Sequence, residues 1–329
     1  MRPALRLALL AAALAAAILL AVRVGAVPLS LREVVDGARG IGDPTTVAIV
    51  QRLRLPRSLL AALVGGALAA SGAVFQALLR NPLADPYVMG VAGGAAVGAV
   101  VAVAVGGLAA TAAPVSAAAF VGAVAAMLLV FRIAAAAGRA LDTRVLLLAG
   151  VVAGSFFNAV ILLTLTFADA DSFRSAIFWM MGSFAGATWR GDALLALYLV
   201  PGLAILLGLA RPLNLLSVGE DTAAYLGTRV ERTKLLAYCA ASLVTAAAVA
   251  ASGVIGFVGL VVPHVVRLLW GGDHRFLLPA SVLMGATFVV LADALARVAA
   301  APMELPVGVV TAFVGVPFFV WLLRRRTAA

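Results

Sequence analysis

Few side chains of this 329-residue chain could do chemistry, and their spacing argues against a catalytic centre. His264 in VVPHVVR and His274 in GGDHR are the two histidines, Cys239 is the one cysteine, and Lys234 is the one lysine. No two His, Cys or Met residues recur at a spacing that holds a metal ion, so no metal site and no cofactor in this chain are expected. Cys239 sits in an apolar run and can form no internal disulfide; packing explains it. A phosphate-binding loop of the form G-x-x-x-x-G-K-[ST] needs a lysine followed by Ser or Thr, and Lys234 is followed by Leu235. The chain therefore lacks that motif for ATP. What remains is charge in unusual places. The stretch QRLRLPRSLL, residues 51–60, sets Arg52, Arg54 and Arg57 at the edge of an apolar run, and Asp293 is an acid inside another. A helix-packing partner such as a nearby arginine is the expected explanation of Asp293.

The elements that must position these groups follow from composition. A mean hydropathy of +1.15 with 12% charged residues lies far from a soluble domain, which carries about 25% charge. Helices satisfy their own backbone in lipid, and the alternation of a barrel strand is absent, so the fold class expected is all-α, a polytopic membrane protein. A helix crosses about 30 Å of hydrocarbon with roughly 20 residues. Ten such stretches are readable, at 4–24, 55–79, 88–107, 112–136, 144–167, 191–211, 233–252, 254–271, 277–297 and 306–323. SAIFWMMGSFAGA, residues 175–187, is apolar but short, which suits a re-entrant or interfacial helix. The first 26 residues fit either a cleaved signal peptide or an uncleaved first span; the latter is preferred because the rest of the chain is embedded too.

Ten spans put both termini on one side. Placing them in the cytoplasm leaves fifteen of the 24 basic residues inside, in keeping with the positive-inside rule. The net charge of +10 then records orientation and contact with anionic lipid rather than nucleic acid. Runs such as LVGGALAASGAVFQA (63–77) and GVAGGAAVGAVVAVAVGG (90–107) let helix backbones approach closely. SVGEDTAAYLGTRVERT, residues 217–233, is the longest polar interruption after the first outer loop. Glu220 and Asp221 suit a short helix start and Gly227 its stop, so the segment reads either as a solvated loop or as a surface helix for a soluble partner.

Five blocks in order, RLRLPRSLLAALVGGALAASGAVFQALLRNPLADPYVMGVAGGAAVGA (52–99), FWMMGSFAGATW (178–189), GEDTAAYLGTRV (219–230), GVIGFVGLVVPHVVRLLWGGDHRFLLPAS (253–281) and ADALARVAAAPMELPVGVVTAFVGVPFF (292–319), resemble the permease subunits of type II ATP-binding-cassette importers, which take up ferric siderophores, haem and vitamin B12. The resemblance implies one permease domain over 1–329 with about ten helices, a homodimer, two cytoplasmic ATPase subunits that bind ATP and Mg, and a periplasmic or lipid-anchored binding protein. It implies multi-pass residence in the bacterial cytoplasmic membrane. It puts Arg54, Arg57 and Arg297 on the outer face as docking residues for the binding protein, the alternative being arginines that snorkel to headgroups. NPLADP resembles a cytoplasmic constriction, implicating Asn81 and Leu83. LDTR resembles the other gate, with Asp142 and Thr143, although a cap on the fifth span fits those two equally well. GEDTAAYLG resembles a coupling helix with Glu220, Ala223 and Leu226 at the ATPase contact. Phe156, Asn158, Phe178, Met180 and Met181 then line the pathway, against helix packing as the ordinary role of Phe and Met.

The expected function is import of an iron chelate, ferric siderophore or haem, by alternating access driven by separate ATPase subunits. Vitamin B12 is the alternative within the family. A proton-coupled secondary transporter is the rival from another class. It calls for a midplane carboxylate or histidine relay, and none is readable.

Overall fold

The computed structural model describes residues 2–106, 112–136 and 142–327, and no strand occurs among them. Residue 107 of the third predicted span, Arg139 and Leu141 lie outside the described residues, as do the side chains of Thr143, Arg325 and Arg326. The order is α1 (Pro3–Arg23), α2 (Leu31–Ala38), α3 (Pro44–Ala48), a π-helical turn (Ile49–Arg54), α4 (Leu55–Leu78), a 3-10 turn (Pro86–Met89), α5 (Val91–Gly106), α6 (Ala112–Ala136), α7 (Thr143–Thr166), α8 (Ala170–Met180), α9 (Trp189–Gly208), α10 (Ala210–Val218), α11 (Glu220–Tyr225), α12 (Val230–Ser252), α13 (Val258–Trp270), α14 (His274–Ala296) and α15 (Val307–Thr327). Seven of these segments are long and apolar enough to cross a membrane, and three shorter apolar helices, Val91–Gly106, Val258–Trp270 and Val307–Val320, occupy the remaining predicted spans.

Between the first two spans the sequence suggests only a loop, but short helices form there because local caps are available. Ser30 and Glu33 make a reciprocal capping box at the start of α2, and Asp43 accepts the Thr46 N–H at the start of α3. The predicted short helix at 175–187 begins earlier, at Ala170, because Asp169 caps it through the N–H groups of Asp171 and Ser172.

The axis of the bundle is α4, buried along nearly its whole length against α12, α13 and α14. Its small residues allow this. A methyl group on Gly65 would strike the Gly285 carbonyl of α14, and one on Gly72 the Gly259 carbonyl of α13. In lipid, where apolar tails offer no drive for helix association, such backbone contact supplies the dispersion that holds helices together. One buried apolar cluster runs from Ala17 of α1 to Val310 of α15.

Two interruptions matter for function. At the end of α4, the Arg80 N–H donates to Ala77 O and the Asn81 N–H to Gln76 O, closing the last turn with Arg80 at φ +47°. A non-glycine residue in this left-handed conformation costs about 1–2 kcal/mol. Between α12 and α13 the chain unwinds, with Gly253 at φ +72° and Phe257 at φ +68°. The predicted eighth span, 254–271, is thus a helix only from Val258. The freed backbone is satisfied from other elements: the Ser183 N–H donates to Ser252 O at 2.8 Å, and the Tyr87 hydroxyl donates to Ile255 O at 2.7 Å while accepting the Ile255 N–H at 3.0 Å.

Candidate functional site

The arginines of the opening stretch are explained by the end of α1. A helix leaves its last four carbonyls without intrahelical partners, here those of Leu20, Ala21, Val22 and Arg23. The Val24 N–H takes Leu20 O. Arg297 Nη2 donates to Ala21 O at 2.6 Å, and Arg54 Nη1 donates to Val22 O at 2.8 Å and to Arg23 O at 3.1 Å. Arg297 Nη1 and Arg54 Nη2 extend the cap to Val24 O and Val27 O. Cations are favourable at the negative end of a helix dipole, and these two come from the π-helical turn and the end of α14. Arg57, one turn into α4, donates from Nε and Nη2 to Asp293 Oδ1 at 3.0 and 2.9 Å, and from Nη1 to Glu304 Oε2 at 2.8 Å. Arg297 Nε lies 3.2 Å from Asp293 Oδ2. Asp293 therefore has the arginine partners its sequence context demanded.

This placement bears on docking. Arg54 and Arg297 are buried and the Arg57 side chain is 12% exposed, so these guanidinium groups are turned into the protein and do not project as free charges. Snorkelling to lipid headgroups does not describe them either. The exposed cations at this end include Arg23, Arg32, Arg39, Arg52, Arg174 and Arg190; of these, Arg52 and Arg190 flank the contact in which Trp189 Nε1 donates to Gln51 O at 2.6 Å. Glu304 is 48% exposed and forms the rim over Arg57.

At the other end, the loop after α4 is held by its own side chains. Asn81 Oδ1 accepts the Leu83 N–H at 3.0 Å and Asp85 Oδ1 the Tyr87 N–H at 2.8 Å. Burial pushes the Asp85 carboxyl up to about 6, with the Tyr87 N–H pulling the other way. Asp142 caps α7 through the N–H groups of Arg144 and Val145, so the cap expected as an alternative for it is present.

Glu220 opens α11 and accepts from Lys234 Nζ at 2.9 Å, while Arg80 Nη2 lies 3.7 Å from the same oxygen. Ala223 is fully buried beneath α11. Gly227, at φ +82°, ends the helix as expected, its N–H on Ala224 O and the Thr228 N–H on Ala223 O. Tyr225 and Leu226 are left exposed.

Of the pathway candidates, Met180 and Met181 line an apolar surface groove of about 590 Å³ with Val254, Phe257, Phe313 and Pro317, beside the unwound turn. Phe156, Asn158 and Phe178 lie on exposed faces outside it. Both histidines are buried; the Nδ1 of His274 is 2.7 Å from Asn214 Oδ1, which also accepts the His274 N–H. Among the described residues no cluster of three or more His, Cys, Asp or Glu could hold a metal ion. Arg80, Tyr87, Lys234 and Glu304 carry interactions that sequence reasoning missed. The signal for Lys234 was its isolation as a single lysine at the start of an apolar run.

A model of the FecCD transport family matches residues 13–325. The chain is 47% identical over 286 residues to the cobalamin import system permease protein BtuC of Halobacterium salinarum, covering 87% of this chain and 76% of that protein. It is 43% identical to the ABC transporter permease protein YvrB of Bacillus subtilis, covering 88% and 82%. Among solved structures, a metal-chelate type ABC transporter in an inward-facing conformation matches with a TM-score of 0.86 and 33% identity over 97% of this chain and 98% of that one. The match over residues 13–325 and the identity to these permeases place this chain in the FecCD transport family, as an ABC importer permease.

Proposed function

We propose that the chain is the membrane half of an importer for a bulky metal chelate, with cobalamin as the first candidate cargo. The observation that carries this reading is its 47% identity to a permease named for cobalamin import, over 87% of the chain. The solved metal-chelate relative supports the wider class, within which the ferric siderophores and haem expected from sequence fall. The apolar groove beside Met180 and Met181 suits the task. A pathway for a bulky chelate must shield it without holding it tightly, and an uncharged lining achieves that.

In this reading the protein works in the bacterial cytoplasmic membrane with both termini inside, as a homodimer whose exposed apolar faces on α7 and α15 meet the partner copy or lipid. Two ATPase subunits bind ATP and Mg and dock on α11, where Tyr225 and Leu226 stand out. A binding protein docks at the opposite end, over Arg57 and its rim residue Glu304, with Arg52 and Arg190 supplying the free charge and Arg54 and Arg297 holding the frame. Asn81, Leu83, Asp142 and Thr143 belong to the cytoplasmic gates.

The test is reconstitution with the ATPase and binding protein encoded beside it. ATP-dependent accumulation of cyanocobalamin, exceeding that of haemin and of a ferric siderophore, is expected. Preference for either iron compound would reassign the cargo, and failure to retain any ATPase would remove the importer reading.

A further inference from the structure

The side-chain contacts around Glu220 join three elements whose relative movement matters if α11 receives a motor subunit. Lys234, near the start of α12, is buried to 7% side-chain exposure and donates to Glu220 Oε1 at 2.9 Å. Arg80, which closes the end of α4, is half-exposed and stands 3.7 Å from that same oxygen. The two contacts differ in kind. A buried ammonium without its carboxylate is costly, so the link to α12 is firm. A half-exposed pair at 3.7 Å is weak and easily exchanged for water. Arg80 is also the residue directly before Asn81, whose side chain and carbonyl hold the turn through Leu83 and Ala84.

We propose that Glu220 is a relay residue, held to α12 by Lys234 and making with Arg80 the adjustable contact through which displacement of α11 reaches the loop after α4. This rests on the reading of α11 as the motor contact and gives Glu220 a role inside the permease rather than at the ATPase surface. Because Ala223 is packed beneath α11, a push on Tyr225 and Leu226 moves Glu220 with the helix. Arg80 can follow only by carrying Asn81, because its left-handed conformation fixes the end of α4. Glu220 is thus a positioning residue, since it acts through Arg80.

The experiment uses the permease with its ATPase in nanodiscs, with Cys239→Ser and Leu83→Cys as the reporter background. Labelling of the new cysteine by a water-soluble maleimide is compared without nucleotide and with ATP plus vanadate. In the reporter background the labelling rate changes between the two conditions. Arg80→Met is expected to keep the ATPase bound but reduce that change by about threefold, in keeping with loss of one weak ion pair. Arg80→Lys restores it, and Glu220→Gln, which also deprives the buried Lys234 of its carboxylate, reduces the change at least as far as Arg80→Met does. An unaltered response in both Arg80→Met and Glu220→Gln, with ATPase retained, overturns the relay alone. Failure of the parent permease to retain the ATPase, or labelling of the reporter background that does not respond to nucleotide, overturns the motor-contact reading, and the relay with it.

Discussion

The Arg57 guanidinium clasps Asp293 through Nε and Nη2, at 3.0 and 2.9 Å from one carboxylate oxygen, and so joins α4 to α14 across 236 residues of sequence. Arg297 shares that carboxylate. A carboxylate 1% exposed between two guanidinium groups is a joint of the fold before it is anything else.

Asp293→Asn leaves two arginines facing a neutral amide in a nearly dry site. Breaking a buried pair in this way costs about 3–5 kcal/mol, because the charge left behind is uncompensated. Unfolding of the purified permease in mixed micelles of increasing SDS content should show a loss of that size. A loss under about 1 kcal/mol would mean that Glu304 alone suffices for Arg57.

Arg52 and Arg54 are two residues apart and should behave oppositely. Arg54→Met removes the donors of Val22 O, Arg23 O and Val27 O, and charged hydrogen bonds of this kind contribute about 1.5–3 kcal/mol. Arg52 is exposed, and Arg52→Met should leave stability within about 0.5 kcal/mol. In the proposed docking it is Arg52 whose charge reversal weakens the binding protein and steepens the salt dependence. Equal stability of the two variants would contradict the cap on α1.

The spans were legible because each apolar stretch is its own signal: the ten predicted stretches coincide with helices, with most ends displaced by a few residues. The stop at Gly227 was legible for the same local reason. The partners of the arginines were not. Nothing near Arg54 in sequence announces that its acceptors are backbone carbonyls at the end of α1, since a carbonyl has no sequence signature. Arg57 finds its acids only after α4 and α14 pack through Gly65 and Gly285. Likewise the break before α13 is hidden in GVIGFVGL, whose apolar residues read as span until Tyr87 is seen to take over the Ile255 backbone.

Asp192, in the first turn of α9, is buried with neither carboxyl oxygen hydrogen-bonded among the described residues. An unsatisfied buried polar group destabilises by about 1–3 kcal/mol, so Asp192→Val should raise stability by that order in the same unfolding assay. A fall instead would mean that the favourable position of a carboxylate in the first turn of α9 outweighs its missing hydrogen bonds.

Asp85 gives the loop after α4 a pH dependence of definite sign. Its carboxyl is raised from 3.8 to about 6 by burial, so the folded state holds the proton more tightly than the unfolded chain does. Below pH 3.8 both states are protonated and no penalty exists. Between pH 3.8 and about 6 the unfolded chain has lost this proton while the folded state still holds it, so stability falls by up to about 3 kcal/mol across that window and levels off above it. Asp85→Asn keeps an acceptor for the Tyr87 N–H and removes the titration. The parent should therefore lose stability relative to this variant between about pH 4 and pH 6 and hold a constant difference from it above that. Parallel stability curves for the two proteins would mean that the carboxyl stays hydrated, and that the loop is held by Asn81 and by the Tyr87 hydroxyl on Ile255 without help from a buried acid.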